Sequence, residues 1–429
     1  MPDSVTVLVV PGLSAWERTC AELEACLPEW MPLGPSFPVL EQVVLGTLFS
    51  GQEGPGLELW TRGHSSRNET GTEQPLWLWD HLARHRPHLP SACWLLPLPG
   101  QGAALGARPA GGDEVGPWDI WPPEVRDAVQ RACGPGPRSF PLEAKAPQEL
   151  PAALEELLRW CLASAAVAFR HAEAALGIVY VPVVLAGAYL WGLHSRQGAA
   201  LARRCAVEVL EFAERLRSEA EGGGEHTLLL VDPWGLQEVE QVVDLEPVRL
   251  HLGQLAEQLA PGREEPTAVF TLQVEHQVAR LTWSRQLPLA AERLREQLAA
   301  LVPQAEVVTA SQCGLVTPGG GSSQEATAQL WLLAPRNAVF VCSCPAQSLD
   351  KELPQKVRLV HWGLPEWLKR WGIASSPELG LGICRATHGR VPQAEEQQGR
   401  LWTGEPGLLF GPVLSDLDLA GLVLAHWGV

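Results

Sequence analysis

Val5-Thr-Val-Leu-Val-Val10-Pro-Gly12 decides the fold class. The run is almost wholly apolar and ends on a Pro-Gly break. Such a run is expected of a strand buried on both faces of a parallel sheet, where no side of the strand meets water. Residues 15–27 follow with helical periodicity. The opening is therefore strand-turn-helix, as in doubly wound α/β proteins. The same order returns further on: a strand at 92–96, a long helical stretch at 149–176, a buried strand at 178–185, an amphipathic helix at 198–219, a Gly222-Gly-Gly224 break and a strand at 226–231. Two helices, 41–49 closed by Gly51 and 76–84, lie between the first strands. Residues 52–72 read as a polar loop and 100–137, rich in Gly and Pro, as an irregular excursion.

From about residue 262 the pattern changes. Strand-like runs at 268–274 and 278–283, a helix at 290–301, and runs at 328–333 and 338–342 predict an inserted α+β subdomain with a Gly/Ser loop at 317–323. The main sheet is expected to resume afterwards, with 407–410 and a final helix at 416–426. The reading is a core of residues 1–261 and 377–429 interrupted by a subdomain at 262–376.

Composition narrows the function classes. The chain has 429 residues, 46% of them hydrophobic, which suits one large domain with an insertion or two domains. A net charge of −17 disfavours holding a nucleic-acid backbone or an anionic membrane, since both need clustered Lys and Arg. Ten cysteines form no framework; the close pair Cys342 and Cys344 has one intervening residue, tighter than zinc pairs use. Nothing in them argues for an oxidising compartment. The N-terminal residues lack a basic region followed by an apolar one. Residues 174–193 carry no charge, but Pro182 and three glycines interrupt them, so they read as a buried strand and loop rather than a membrane span. These features predict a cytoplasmic protein, and the Gly, Pro, Ala, Leu, Gln and Trp bias predicts a bacterial one.

Three stretches resemble the type I phosphodiesterase and nucleotide pyrophosphatase family of the alkaline-phosphatase superfamily. They are Ser36-Phe-Pro-Val-Leu-Glu-Gln-Val-Val-Leu-Gly-Thr-Leu-Phe-Ser-Gly51; Val179-Tyr-Val-Pro-Val-Val-Leu-Ala-Gly-Ala-Tyr-Leu-Trp-Gly192 with Thr227-Leu-Leu-Leu-Val-Asp-Pro-Trp-Gly-Leu236; and Thr387-His-Gly389 with Gly407-Leu-Leu-Phe410 and Asp416-Leu-Asp-Leu419. Their order and spacing carry the resemblance. It implies an α/β fold with a mostly parallel central sheet flanked by helices and an inserted α+β subdomain. It also implies phosphate-ester chemistry, in which two zinc ions clamp the attacking and leaving oxygens and a Thr or Ser at a helix N-terminus attacks phosphorus.

Placed on that pattern, this chain departs from it. Pro11 stands where the first strand should end in a metal-binding Asp, and Glu41 stands at the nucleophile position. The next Asp and His positions fall on Leu185 and Tyr189, or on Val183 and Gly187. Pro233 and Trp234 stand where an Asp-His pair should precede Gly. His388 is retained, as a metal ligand or general base, while Asp232 and His194 lie near ligand positions but out of register.

Two readings of Glu41 stand side by side: a carboxylate favoured at a helix start by the helix dipole, or a permanent imitation of the phosphorylated nucleophile. The functional expectation is a phosphodiesterase-like protein that has lost its two-metal site and acts as a binding or scaffolding module without cofactor, meeting a protein partner through 262–376. The alternative is a hydrolase of phosphate esters or diesters with a reduced zinc site built from Glu41, Asp232, His194 and His388. A serine-hydrolase reading of Gly63-His-Ser65 fails because Arg67 stands where a nucleophile elbow needs Gly.

Overall fold

A computed structural model of the protein describes residues 4–36, 38–52, 76–98, 105–109, 118–134, 136, 149–219, 225–259, 269–284, 286–313, 327–341, 357–362, 386–388, 398–405, 407–409 and 414–429. Gly63-His64-Ser65, Cys342 and Cys344, Gly389 and the loop at 317–323 lie outside these residues. The chain divides into two compact units, one of Met1–Leu236, Trp367–Leu379 and Val391–Val429, the other of Gln237–Glu366 and Gly380–Arg390.

The first unit opens with β1 (Ser4–Val9), α1 (Glu17–Cys26), β2 (Glu29–Gly34), α2 (Glu41–Ser50), α3 (Leu78–His85) and β3 (Ser91–Trp94). It continues with β4 (Leu105–Pro109), β5 (Trp118–Trp121), α4 (Pro123–Cys133), α5 (Leu150–His171), β6 (Leu176–Tyr180), α6 (Val183–Trp191), α7 (Arg196–Glu219) and β7 (His226–Asp232). Val5, Val7, Leu8 and Val9 of β1 are all buried, as the apolar run predicts. β1 lies between β7 and β6, parallel to both, in the middle of a nine-stranded sheet. β3 and β4 continue the parallel run beyond β6, and antiparallel β5 closes that edge. Helices α1, α4, α5, α6 and α7 pack among themselves; α2, α3 and the last helix form a second group.

Three departures from the sequence reading have physical causes. First, the buried strand expected at 178–185 stops at Tyr180, and α6 starts at Val183 after Pro182, whose carbonyl accepts the Ala186 N–H. Val183 to Tyr189 are all buried, so the helix has no polar face and shows no amphipathic period. Second, the stretch expected to be irregular holds β4, β5 and α4. Gly106 is required there: a Cβ at that position would come within 2.4 Å of the Trp121 ring. Third, the sheet expected to resume after residue 376 and to end with 407–410 resumes with β17 (Gly399–Thr403), antiparallel between β7 and β2, and β2 itself was hidden by its Pro32. The short β18 (Leu414–Ser415) pairs with β2, and α10 (Asp418–Ala425) ends the fold.

The second unit begins at Gln237, where composition placed the change at 262. Its β8 (Gln237–Glu238), β9 (Gln241–Asp244) and α8 (Glu246–Leu259) lead into β10 (Phe270–Glu275), β11 (Val278–Ser284), α9 (Ala291–Leu301), β12 (Glu306–Val308), β13 (Thr327–Leu333), β14 (Ala338–Val341), β15 (Val357–Trp362) and β16 (Ala386–Thr387). The five-stranded sheet runs β12-β13-β11-β10-β15. Leu272, Leu281, Leu330 and Leu332, together with Leu294 and Leu298 of α9 and Leu252 of α8, make its own hydrophobic core.

Gly399 is a point of close backbone approach in the first unit. A Cβ there would sit 2.3 Å from the Asp232 carbonyl oxygen and 2.8 Å from the Pro233 carbonyl carbon, both backbone atoms that cannot swing away. Gly399→Ala is expected to cost at least ~2 kcal/mol of folding free energy, read from the chemical-denaturation midpoint. An unshifted midpoint would show that β17 does not approach β7 this closely.

Candidate functional site

Val9 of β1 is in register with Tyr180 of β6 and Val231 of β7. The chain therefore leaves three adjacent parallel strands at one level, through Val10, Val181 and Asp232. Open α/β sheets carry their sites at this carboxyl edge, beside the strand that faces neighbours from both directions of the winding.

Asp232 is fully buried. One carboxylate oxygen accepts the Gly12 N–H at 2.8 Å and the other the Ser14 N–H at 2.7 Å. The backbone of Trp234 and the Ser14 hydroxyl add to this set. Gly12 makes the wrap feasible: its φ is 84°, and a Cβ there would come within 2.6 Å of the Leu236 side chain. Burial pushes the Asp232 carboxyl up to about 6, and the donors around it pull the other way without cancelling the shift.

Glu41 is the first residue of α2 and is 6% exposed. The N-cap residue Leu40 makes no side-chain cap, so the carboxylate meets the positive end of the helix directly. The Tyr180 hydroxyl donates a hydrogen bond to one Glu41 oxygen. Burial first, and the Glu41 carboxylate second, hold the Tyr180 hydroxyl well above its ordinary range; Tyr189 and Asp232 push in the same direction. Glu41, Tyr180, Tyr189 and Asp232 thus share one buried locus. Nearby in the same unit, Asp416 accepts the N–H of Ser36 at 2.6 Å and its hydroxyl at 2.9 Å, tying the loop before α2 to the segment before α10. Burial raises Asp416 as well.

Two further sequence candidates are His194 and His388. His194 is exposed on the turn between α6 and α7. His388 belongs to the second unit, where it is 3% exposed and its ring lies 4.4 Å from that of His276. Its carbonyl accepts the Gln277 N–H at 3.4 Å. Leu185, Tyr189, Val183 and Gly187, the alternative positions for the expected Asp and His, are all buried on α6. Among the described residues no group of three or more His, Cys, Asp and Glu side chains stands in position to hold a metal ion.

The architecture can now be compared with solved structures. Human ectonucleotide pyrophosphatase/phosphodiesterase 5 superposes with a TM-score of 0.57 at 10% identity, over 100% of this chain and 95% of the other. The murine protein of the same name gives 0.53 at 10%, over 99% and 95%. Phosphonoacetate hydrolase from Sinorhizobium meliloti, solved with phosphonoacetate, gives 0.53 at 12%, over 99% and 95%.

The chain has the alkaline-phosphatase-like fold.

At these identities the likeness is one of fold. No family model matches the sequence, and no curated protein does. Within this fold the sequence reading singled out Glu41 and Asp232 but missed the groups that engage them. Tyr180 carried a usable signal, since it and Tyr189 are the only tyrosines of the chain and stand just before and within α6. Ser14 and Gly12 carried none, because a backbone N–H has no signature in sequence.

Asp232 makes a pH dependence. Its carboxyl titrates near 6 when folded and near 3.8 otherwise. Between these values the native chain holds a proton that the unfolded chain has released. The stability this gives is complete below pH ~3.8 and is lost as pH rises through ~6, amounting to ~3 kcal/mol at 1.36 per pH unit. Asp232→Asn is expected to abolish this component and to lower stability by ~2–4 kcal/mol, because its amide nitrogen would face a backbone N–H. Denaturation of both proteins from pH 4 to 8 reads it; parallel pH profiles would refute it.

Proposed function

We propose that the protein is a non-catalytic binding or scaffolding module built on the phosphodiesterase-like fold. One observation carries this reading: both buried carboxylates, Asp232 at the end of β7 and Glu41 at the start of α2, are already engaged by the protein. Asp232 spends its two oxygens on Gly12 and Ser14, and Glu41 receives the Tyr180 hydroxyl. A two-metal hydrolase needs several carboxylate and imidazole ligands converging on two ions, with an open position for substrate. This donor set does not suit such a centre. Proline, valine, leucine and tryptophan at the remaining positions offer no ligating atom, and Glu41 cannot serve as the attacking hydroxyl. Its buried carboxylate at the start of α2 acts instead as an internal anion.

The rest of the reading follows from composition and position. The seven described cysteines are unbridged, as a reducing bacterial cytoplasm leaves them. No described helix is long and apolar enough to cross a membrane. The acidic balance argues against nucleic acid and anionic lipid, which leaves a protein partner met through residues 262–376.

Elemental analysis of protein purified without chelator, together with hydrolysis assays on bis(4-nitrophenyl) phosphate and a nucleotide phosphodiester with added zinc, tests the proposal. The expected result is substoichiometric metal and turnover no faster than buffer. About two zinc ions per chain, with turnover that disappears in His388→Ala, would replace this reading by that of a hydrolase with a reduced metal site.

A further inference from the structure

The five-stranded sheet of the second unit has two unlike faces. Leu272, Leu281, Leu330 and Leu332 point into the core beneath α8 and α9. The alternate positions on the other face are Gln273 of β10, Arg280 and Thr282 of β11, and Gln329 and Trp331 of β13. Register sets them side by side. Arg280 lies between Gln273 and Trp331, and Thr282 pairs with Gln329 in the next row.

Arg280 is the anomaly of this face. It is half-buried, and its guanidinium stands 5.8 Å from the centre of the Trp331 ring, which is wholly buried. Its Nε donates to Gln329 Oε1 at 3.0 Å and its Nη1 to Gln273 Oε1 at 3.4 Å. Both acceptors are neutral amides. Among the described residues no Asp or Glu makes an ion pair with it; Glu275, further along the same face, does not. Buried charges are ordinarily paired, because desolvating a lone ion costs several kcal/mol. Here burial alone pulls the guanidinium down to about 10, with no neighbouring charge contributing. In a chain with a net charge of −17, a half-buried cation lacking a carboxylate partner is unexpected on packing grounds.

The guanidinium has five N–H donors in a planar fork, of which two are engaged by the glutamines. The Nη2 edge remains. The Thr282 hydroxyl, on the same strand and face, and the Gln329 amide nitrogen add donors from a second row. The two glutamines fix the plane of the fork, so little side-chain entropy remains to be lost on binding. We propose that Arg280, Thr282 and Gln329 form a binding site for a phosphate-class oxoanion. Donors drawn from two strands and two rows are not coplanar, which matches a tetrahedral group better than a flat carboxylate. The site is made wholly within the second unit, uses none of the strand-end residues above and does not depend on the proposed loss of catalysis.

Titration of the full-length protein with inorganic phosphate, at constant ionic strength set with chloride, tests it by calorimetry and by thermal shift. Saturable binding of phosphate and sulfate is expected, with acetate at least about tenfold weaker, since a planar anion reaches fewer of the donors. Arg280→Lys keeps the charge but loses the fork, and is expected to weaken phosphate binding by about tenfold or more. Thr282→Val suits a strand and should weaken it several-fold, so it decides the matter should Arg280→Lys fail to fold. Competition by phenyl phosphate would assign the site to a phosphate ester, and its exclusion to the free anion; either upholds the site. Absence of saturable phosphate binding, equal affinity for acetate, or unchanged affinity in Thr282→Val would overturn the proposal.

Discussion

The Asp232 carboxylate is the constraint around which the carboxyl edge of the main sheet is arranged. A buried carboxylate is costly unless it is hydrogen-bonded, and here the hydrogen bonds come from the backbone of another strand's exit. Gly12 and Ser14 turn their N–H groups onto it, and that turn fixes where α1 begins. The same clamp joins β1 to β7 beyond the last ladder hydrogen bond. Tyr180 and Glu41 complete the neighbourhood with a neutral donor meeting an acid at a helix start. At this edge the buried acids are held by hydrogen bonds from the protein itself.

Much of this architecture was legible in sequence, and the reasons are local. The apolar run of β1, the Gly222-Gly-Gly224 break before β7, and Gly51 at the end of α2 with φ 64° are signals a single chain displays on its own. What escaped was structure whose signal is supplied by tertiary contact. Helix α6 has no polar face to reveal its period. β2 contains a proline and forms because β17 and β18 flank it. At the candidate site, Glu41 and Asp232 could be found because their positions in the fold's pattern could be counted. Their partners could not, because hydrogen bonds from Gly12 and Ser14 depend on a turn and not on a residue type. Arg280 was also invisible, since an arginine in an alternating strand reads as a solvated side chain until its neighbours and its burial are known.

The two units handle buried charge in contrasting ways. In the first, acids are buried and the chain surrounds each with its own donors: backbone N–H groups for Asp232, Tyr180 for Glu41, Ser36 for Asp416. In the second, a cation is half-buried beside neutral amides and an indole, with donors in surplus. Each buried acid is thus met by donors of its own unit, whereas Arg280 keeps N–H donors beyond the two that the glutamines accept.

The position of β17 also bears on how the chain is made. It follows β7 and β2 by well over a hundred residues in the chain, yet it lies inside the sheet, between them. Until residues 399–403 leave the ribosome, β7 and β2 each present a row of unpaired backbone groups. Nascent chains of this length are open to edge-to-edge association in that interval. Local helices and the β1–β6–β7 core can assemble early, but the sheet becomes continuous only when residues 399–403 thread between strands made long before. Loss of residues 399–403 would therefore remove an interior strand of the sheet.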